Sequence, residues 1–182
     1  MDSCLVGSEM CIRDSSSEFN FIVDEIDAQE IEKIAISSTK IRNSINQGDL
    51  ETTKKYLGRF FSLTGKVVKG DGLGKQIDYP TANILIEEDY KIIPKDGVYY
   101  IRTTIDNKLY NGMMNIGHRP TIGNKAKSIE VNLFNFDMDI YDKVISVDVV
   151  VKIRDEKKFS SINALKAQLA KDEEHCLKLI NK

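Results

Sequence analysis

Three alternating glycines, followed closely by two oxygen-bearing side chains, form the stretch of this sequence best suited to chemistry. Gly70, Gly72 and Gly74 carry no Cβ, so a ligand can approach the backbone closely at these positions. Successive bare amides can also surround phosphate oxygens as an anion-binding nest. By itself, however, this spacing does not favour a phosphate site over a flexible turn between strands.

The segment from residue 79 to residue 83 adds the oxygen donors. Thr81 and Asn83 are separated by one residue, and in an extended segment residues two apart point the same way. Both side-chain oxygens could therefore meet one hard cation beside the phosphates, which is how Mg²⁺ is commonly held in nucleotide sites. The glycines and this pair together predict a magnesium–nucleotide site much more strongly than the glycines alone.

Glu130 is the candidate general base. Ile129, Val131 and Leu133 alternate with Glu130 and Asn132, so the two polar side chains share one face of a predicted strand. A carboxylate in that position could take a proton from an attacking hydroxyl. Periodicity alone favours the simpler interpretation, an exposed strand carboxylate without a function.

Hydroxyls and an arginine near a predicted helix start form a second candidate anion site. Ser37 or Ser38 can cap a helix from 39 to 47, with Thr39 and Arg42 in its first turns. Helix N-termini attract anions because their amides lack partners. A capped helix without a ligand accounts for the same residues equally well.

The elements that must position these residues change type along the chain. Helices are predicted from 39 to 47 and from 50 to 57, each ended by a glycine. Beyond residue 60 the apolar residues alternate with polar ones, as in half-buried strands. The segments with this alternation are 61–67, 98–105, 109–116, 129–133 and 145–153. Short strands with turn residues between them predict a closed or nearly closed antiparallel barrel.

After Phe159 the apolar period becomes helical again, which predicts a C-terminal helix against the barrel. Its predicted contact residues are Ile162, Leu165, Leu169, Cys176 and Ile180. The one continuous apolar face that we expect on the last strand consists of Ile145, Val147, Val149, Val151 and Ile153. The charged residues 154–156 that follow are most simply a solvated cluster at the strand end.

Composition narrows the function classes. The chain has 182 residues, 41% of them hydrophobic, and a formal net charge of −2, which gives no electrostatic reason to expect nucleic acid or an acidic membrane as a partner. No apolar run approaches the roughly 20 residues needed to cross a bilayer. Cys4, Cys11 and Cys176 lack metal-ligand spacing, which favours a reducing cytoplasm over a disulfide scaffold. Residues 1–17 lack a clear period, and we expect them to be a non-native tail.

Several separated blocks together resemble riboflavin kinases. They occur in the family's order from about Leu57 to the C-terminus, some two-thirds of the chain. The blocks are the three glycines with Tyr79–Asn83, then Asp96–Tyr99, Gly112–Thr121, Glu130–Leu133 and Ile153–Phe159. The resemblance implies a mainly β fold, a six-stranded antiparallel Greek-key barrel with a C-terminal α-helix.

Upstream, residues 36–42 and 48–59 resemble the end of the adenylyltransferase module that precedes the kinase in bacterial bifunctional enzymes. That family makes FMN from riboflavin and ATP, then FAD from FMN and ATP. The front of the module is missing here, and no His-x-Gly-His motif is present. The expected organisation is therefore a helical remnant of an α/β nucleotidyltransferase domain over 18–56 and a kinase domain over 57–182.

The resemblance implies an ATP:riboflavin 5′-phosphotransferase whose products are FMN and ADP, with FAD synthesis lost in this chain. A non-catalytic flavin-binding barrel is the alternative. The implied residues for ATP are Gly70, Gly72, Gly74, Lys75, Pro80 and Thr81. Thr81 and Asn83 would hold Mg²⁺, and Glu130 would act on the ribityl 5′-hydroxyl. The implied flavin-binding or covering residues are Asn115, Arg119, Thr121, Arg154 and Phe159, and the remnant nucleotide site is Ser37, Ser38, Thr39 and Arg42.

Three positions depart from the family pattern. The family usually has glycine where this chain has Asp78, and it favours glycine at Met138 and Asp142. Aspartate tolerates a left-handed backbone better than most residues, though less well than glycine. Asp78 also adds a negative charge near the expected phosphate site, so we expect it to weaken ATP binding.

Overall fold

The computed structural model describes residues 12, 14–16, 18–24, 30–31, 34–70, 74, 77–118 and 127–180. The chain divides into two compact units, Met1–Ile36 and Ser37–Lys182. The first unit contains a short antiparallel pair, β1 (Glu30–Ile31) and β2 (Ile34–Ala35). Among the described residues, no helix has both the length and the apolar character that crossing a bilayer requires.

Six antiparallel strands of the second unit close into a barrel. They are β3 (Phe61–Val68), β4 (Ala82–Leu85), β5 (Gly97–Ile105), β6 (Lys108–His118), β7 (Lys127–Leu133) and β8 (Val144–Arg154). Around the barrel the order is β3-β4-β7-β6-β5-β8. Three consecutive strands, β5 to β7, lie side by side and β8 returns to pair with β5, which is the Greek-key arrangement. The predicted barrel is confirmed.

The barrel interior is filled by alternate residues of its strands, because successive side chains of a strand point to opposite faces. Buried members from five strands include Leu63, Tyr99, Met114, Val131 and Val147. Full burial of an aliphatic side chain of this kind contributes about 1.5–3 kcal/mol relative to exposure. The apolar residues that alternate in the sequence are therefore the ones that fill the barrel interior.

The predicted single apolar face of β8 is wrong, because two β-bulges divide it. Tyr100 pairs with Val151 while Ile101 pairs with Val149, so Val150 is an extra residue. A second bulge adds Ile153. Ile145, Val147 and Val149 point into the barrel, whereas Val151 and Ile153 join a second cluster outside it. Bulges re-aim the side chains that follow them.

Both predicted short helices lie ahead of the barrel in the chain. The helix α1 (Ser38–Gln47) starts one residue earlier than expected, and the side chain of Ser37 accepts from the amide of Lys40 at 3.3 Å. Gly48 ends α1 with a φ of +77°, and α2 (Leu50–Leu57) follows. Leu50 is 3% exposed and belongs to the barrel's own core cluster. These helices thus lie in the same compact unit as the barrel, and the domain boundary at 56/57 stays a prediction.

The C-terminal helix α3 (Ile162–Ile180) packs outside the barrel on the second apolar cluster. Leu169 and the fully buried Cys176 make this contact, as predicted. Ile162 is 56% exposed, so its predicted contact is wrong. Ile180 is 37% exposed and lines a cavity together with Leu109 and Tyr110 of β6, which agrees with its prediction. Burial raises the pKa of the Cys176 thiol to about 12.

Candidate active site

One continuous row of paired residues crosses five strands of the barrel. Asn83 on β4 pairs with Glu130 on β7, and Glu130 also pairs with Asn115 on β6. Asn115 pairs with Val98 on β5, and Val98 pairs with Arg154 on β8. Val98 belongs to the cluster between the barrel and α3, so this row lies on the outer face of the wall. Side chains from separate blocks of the sequence are thereby brought into one line.

A cavity of about 230 Å³ opens on this outer face. Six of the predicted site residues line it: Gly74, Thr81, Asn115, Glu130, Arg154 and Phe159. The sequence analysis gave no individual site role to several other wall residues, which include Tyr79, Met113, Glu156, Lys157, Leu165 and Leu169. The lining therefore combines apolar side chains, from the helix and Met113, with carboxylates, amides and a hydroxyl.

The two described glycines of the loop each adjoin one predicted metal ligand. A Cβ on Gly74 would lie 3.2 Å from Thr81 Oγ1 and 2.2 Å from the carbonyl oxygen of Tyr79. A Cβ on Gly70 would lie 2.0 Å from Asn83 Nδ2. The absence of a Cβ at these two glycines therefore leaves room for the protein's own atoms, among them the side chains of Thr81 and Asn83. Asn83 itself is 8% exposed.

Asn132 fixes the segment that carries Thr81. Its Nδ2 donates to the carbonyl oxygen of Pro80 at 2.7 Å, and Asn132 is only 7% exposed. Pro80 itself is exposed on the surface. Asn132 and Glu130 line the same cavity, which confirms that they share one face of β7.

Arg154 makes a charged contact that the sequence prediction missed. Its Nε donates to both carboxylate oxygens of Asp172 at 3.0 Å, and its NH2 donates to Oδ2 at 2.8 Å. The prediction of a simple solvated cluster is therefore wrong for Arg154. An available signal was position 172 itself, an aspartate at helical spacing within the apolar stripe of Leu165, Leu169 and Cys176.

Glu156 is a second carboxylate in this cavity that the sequence did not single out for a role. A Cβ on Gly117 would lie 2.2 Å from its Oε1. The glycine in the block 112–121 therefore leaves room for this side chain beside β6.

Contacts to α3 also hold the loop that enters β4. The hydroxyl of Tyr79 donates to Glu173 Oε2 at 3.0 Å, and burial together with this contact raises the pKa of Tyr79. Asp78 forms an exposed ion pair with Lys166 of the same helix. The loop is consequently anchored to the helix at two adjacent residues.

Two of the family departures fall where the backbone is left-handed. Asp78 has a φ of +66° and Asp142 a φ of +64°, so a glycine would fit both positions without strain. Asp142 also forms an ion pair with Lys66 at 2.8 Å, and this contact lowers the pKa of the Asp142 carboxyl. Met138, the third departure, does not have a positive φ, so its backbone does not call for glycine.

A second, more open cavity of about 500 Å³ adjoins the first and shares Tyr79 and Asn132 with it. Its remaining wall contains Asp78, Pro80, Lys166 and the segment 133–137. Two ligand-sized spaces therefore meet at the segment that carries Thr81.

The other predicted site residues lie elsewhere. Gly72, Lys75, Arg119 and Thr121 lie outside the described residues. The predicted remnant nucleotide site is exposed on the first turns of α1, and its residues line neither of these two cavities; they are Ser37, Ser38, Thr39 and Arg42. Their role stays a prediction.

Comparison with known proteins adds a family to this geometry. Residues 57–180 match the family model described as Flavokinase, riboflavin kinase. The bifunctional riboflavin kinase/FMN adenylyltransferase of Bacillus subtilis is 38% identical over 146 residues, which are 79% of this chain and 46% of that protein. Its counterpart in Buchnera aphidicola from Schizaphis graminum is 37% identical over 179 residues, 96% of this chain and 57% of that protein.

Solved structures also match this chain. The crystal structure described as a macrolide-efflux protein from Streptococcus pneumoniae is 36% identical, with a TM-score of 0.79 over 89% of this chain and 53% of that one. The chain spans about half the length of the curated relatives that it matches. The predicted resemblance is confirmed for the kinase half.

Proposed function

The chain belongs to the riboflavin kinase family, and we propose that it transfers the terminal phosphoryl group of ATP to the 5′-hydroxyl of riboflavin, giving FMN and ADP. The observation that carries this proposal is the row across the barrel wall. It brings Glu130 and Asn115 into one cavity with Thr81 at one side and Arg154 at the other. Phosphoryl transfer depends mainly on such positioning and on charge neutralisation.

Riboflavin suits the smaller cavity, because the lining of that cavity combines apolar side chains with a few polar groups. The apolar lining residues include Val98, Met113, Leu165, Leu169 and Phe159. A planar ring system would lie among these side chains, with Phe159 available for an aromatic contact. The ribityl chain would then extend along the row toward the carboxylate of Glu130.

ATP fits the more open neighbouring cavity. That cavity adjoins Pro80 and meets the first at Tyr79 and Asn132, so phosphates placed there reach the Thr81 segment from the opposite side. Lys166 on its wall is a cation within the same space, although Asp78 partly neutralises it. The two substrates would thus approach one another across the Thr81 segment.

Magnesium is part of this proposal, and the donor set fits it. Thr81 offers a hydroxyl oxygen and Asn83 a carboxamide oxygen, and hard cations prefer oxygen ligands. Within the described part of the chain, no cluster of three or more His, Cys, Asp or Glu residues is placed to hold a metal. The remaining ligands would therefore be phosphate oxygens and water. When bound, Mg²⁺ neutralises charge on the phosphates.

Glu130 supplies the proton acceptor. A primary alcohol is a poor nucleophile at neutral pH, so a carboxylate that removes its proton as the new bond forms accelerates transfer. The proton goes to Glu130, the ribityl oxygen bonds to phosphorus, and ADP leaves with the electrons of the broken bond. This route needs no covalent enzyme intermediate.

The proposal assigns the kinase reaction to this chain and not FAD synthesis. The relatives' names include an FMN adenylyltransferase, and the chain matches about half of their length. The remnant residues on α1 are exposed and lie outside both cavities. A cytoplasmic location belongs to the same proposal, because the cysteine usage of the sequence favours a reducing compartment.

Incubation of the purified chain with riboflavin, ATP and Mg²⁺, followed by chromatography for FMN and FAD, tests this function. We expect FMN to accumulate in proportion to ADP, with no FAD. A folded chain that binds riboflavin without forming FMN would instead be a flavin-binding barrel. Omission of Mg²⁺ serves as the matched control and should abolish FMN formation.

A further inference from the structure

Asp172 is the most deeply buried carboxylate near the site, and the proposed mechanism gives it no part. It lies on α3 and is 2% exposed. Besides the contacts from Arg154, its Oδ1 accepts from Gln168 Nε2 at 2.9 Å, one helical turn earlier. A buried acid costs folding free energy unless it is paired and hydrogen-bonded, so both partners matter for keeping it there.

The second bulge of β8 turns Arg154 toward this acid. Lys152 pairs with Tyr99 and the next pair is Arg154 with Val98, because Ile153 is the extra residue. Without the bulge, position 153 would oppose Val98 and Arg154 would fall on the opposite face of the strand. The bulge therefore places the guanidinium group on the outer face, between α3 and the cavity.

The contacts of Arg154 leave part of its guanidinium group for a ligand. Nε and one NH2 hydrogen serve Asp172, and NH1 donates to the carbonyl oxygen of Asp155 at 3.0 Å. A guanidinium group has five N–H donors, so one on each terminal nitrogen remains. Arg154 lines the cavity, and the Phe159 ring centroid is 5.8 Å from its Cζ.

The position of Arg154 in the row indicates which part of riboflavin it meets. Three strand steps separate it from Glu130, which is about 14 Å along the sheet at a strand spacing near 4.8 Å. A group so far from the base lies near the ring end of the ligand, beside the apolar wall residues Leu169 and Phe159. The ring system has carbonyl oxygens that can accept from the free N–H groups.

On the basis of the proposed function, we propose that Asp172 is a positioning residue. It orients the guanidinium group of Arg154 so that the remaining N–H donors bind the ring end of riboflavin. A bidentate carboxylate is suited to this task because it fixes the plane of the guanidinium group as well as its location. The C-terminal helix thus contributes to flavin affinity through a residue that does not touch the ligand.

The experiment compares Asp172→Asn with Glu174→Gln in the full chain. Glu174 is an exposed acid on the same helix, paired with Lys178, and serves as the matched control. Riboflavin affinity is measured by fluorescence titration, and the KM values for riboflavin and ATP and kcat by FMN formation. For Asp172→Asn we expect the riboflavin Kd and KM to rise about tenfold, since the contact is a charge-assisted hydrogen bond. The KM for ATP and kcat should stay near those of the parent chain.

A uniform loss of activity with an unchanged riboflavin Kd would overturn the proposal, because it would indicate a purely structural role. If Asp172→Asn fails to fold, Arg154→Lys provides the same test, since lysine keeps the charge but lacks the planar fork. It should weaken riboflavin binding to a similar degree, and an unchanged Kd would again overturn the proposal. The binding titration needs no turnover, so a chain that binds riboflavin without forming FMN refutes the proposed function and still tests Asp172.

Discussion

Along β7, Ile129 and Val131 point into the barrel interior and are 3% and 1% exposed, whereas Glu130 and Asn132 line the cavity outside. The inner residues pack with the apolar side chains of the other strands. The outer ones face substrates in our proposal. The inner residues of this strand therefore contribute to stability, and the outer ones contribute to catalysis in our proposal. Substitutions on the two faces should affect stability and activity separately.

Glu130→Gln should have the largest effect on chemistry. The amide keeps the shape of the side chain but cannot accept the hydroxyl proton, and a general base typically contributes about 10²–10⁴-fold. We expect kcat for FMN formation to fall by that order while riboflavin affinity and melting temperature hold. Glu51→Gln, an exposed position on α2, is the control. Turnover near that of the parent chain would reject Glu130 as the base.

Thr81→Ala should mainly impair use of the magnesium–ATP complex. Loss of one hydroxyl contact to a charged group is worth about 1.5–3 kcal/mol, or roughly tenfold and more in affinity. We expect the KM for ATP to rise while the riboflavin Kd is unchanged, and Thr81→Ser to restore much of the loss. Steady-state kinetics at varied Mg²⁺ concentration measure this. An equal rise in the riboflavin Kd would argue against a role at the phosphates.

Val131→Ala tests the other face of the same strand. Removal of two buried methyl groups beside Glu130 should lower the free energy of unfolding by about 1–3 kcal/mol. Below the melting transition, kcat/KM should remain within a few-fold of the parent value. Urea unfolding and assays at low temperature measure the two quantities. A large loss of kcat/KM without loss of stability would remove the proposed separation between the faces.

Asp78→Gly should have a small, favourable effect on ATP use. The change removes a negative charge near the proposed phosphate site and suits the left-handed backbone there. Exposed ion pairs are worth at most about 1 kcal/mol, and Lys166 already compensates the charge, so we expect the KM for ATP to fall only a few-fold. Asp142→Gly, at the other left-handed aspartate, is the control. An unchanged or higher KM would refute the effect.

The Cys176 thiol should react slowly with alkylating reagents while the chain is folded. Its raised pKa, about 12, means that the neutral thiol dominates well above neutral pH, whereas an unfolded cysteine ionises near 8.5. At pH 8.5 iodoacetamide should label Cys176 slowly in the native chain and rapidly in urea, as read by peptide mass spectrometry. Rapid native labelling would show that α3 detaches from the barrel.

Local sequence signals predicted most of the elements. The first helix follows from its serine cap, both helices follow from their terminal glycines, and the long strands follow from alternation. The strand Ala82–Leu85 was not predicted because four residues are too few to show a period. The bulges of β8 were missed because each shifts the alternation by one residue without a compositional sign.

The site was predictable where its chemistry is local in sequence. Glu130 and Asn132 share a face by alternation, and Thr81 lies beside Gly74, seven residues earlier in the chain. The pairing of Arg154 with Asp172 was not predicted because it joins a bulged strand to a distant helix. Only the tertiary fold brings these two residues together.

The most direct test of the central claim is a crystal structure of the chain with riboflavin, ADP and Mg²⁺. Our account predicts the ribityl 5′-oxygen within about 2.6–3.2 Å of a Glu130 carboxylate oxygen. It also predicts the metal on the oxygens of Thr81 and Asn83 and the flavin ring beside Arg154 and Phe159. Riboflavin bound elsewhere, or with its 5′-hydroxyl directed away from Glu130, would contradict the assignment of the outer row as the active site.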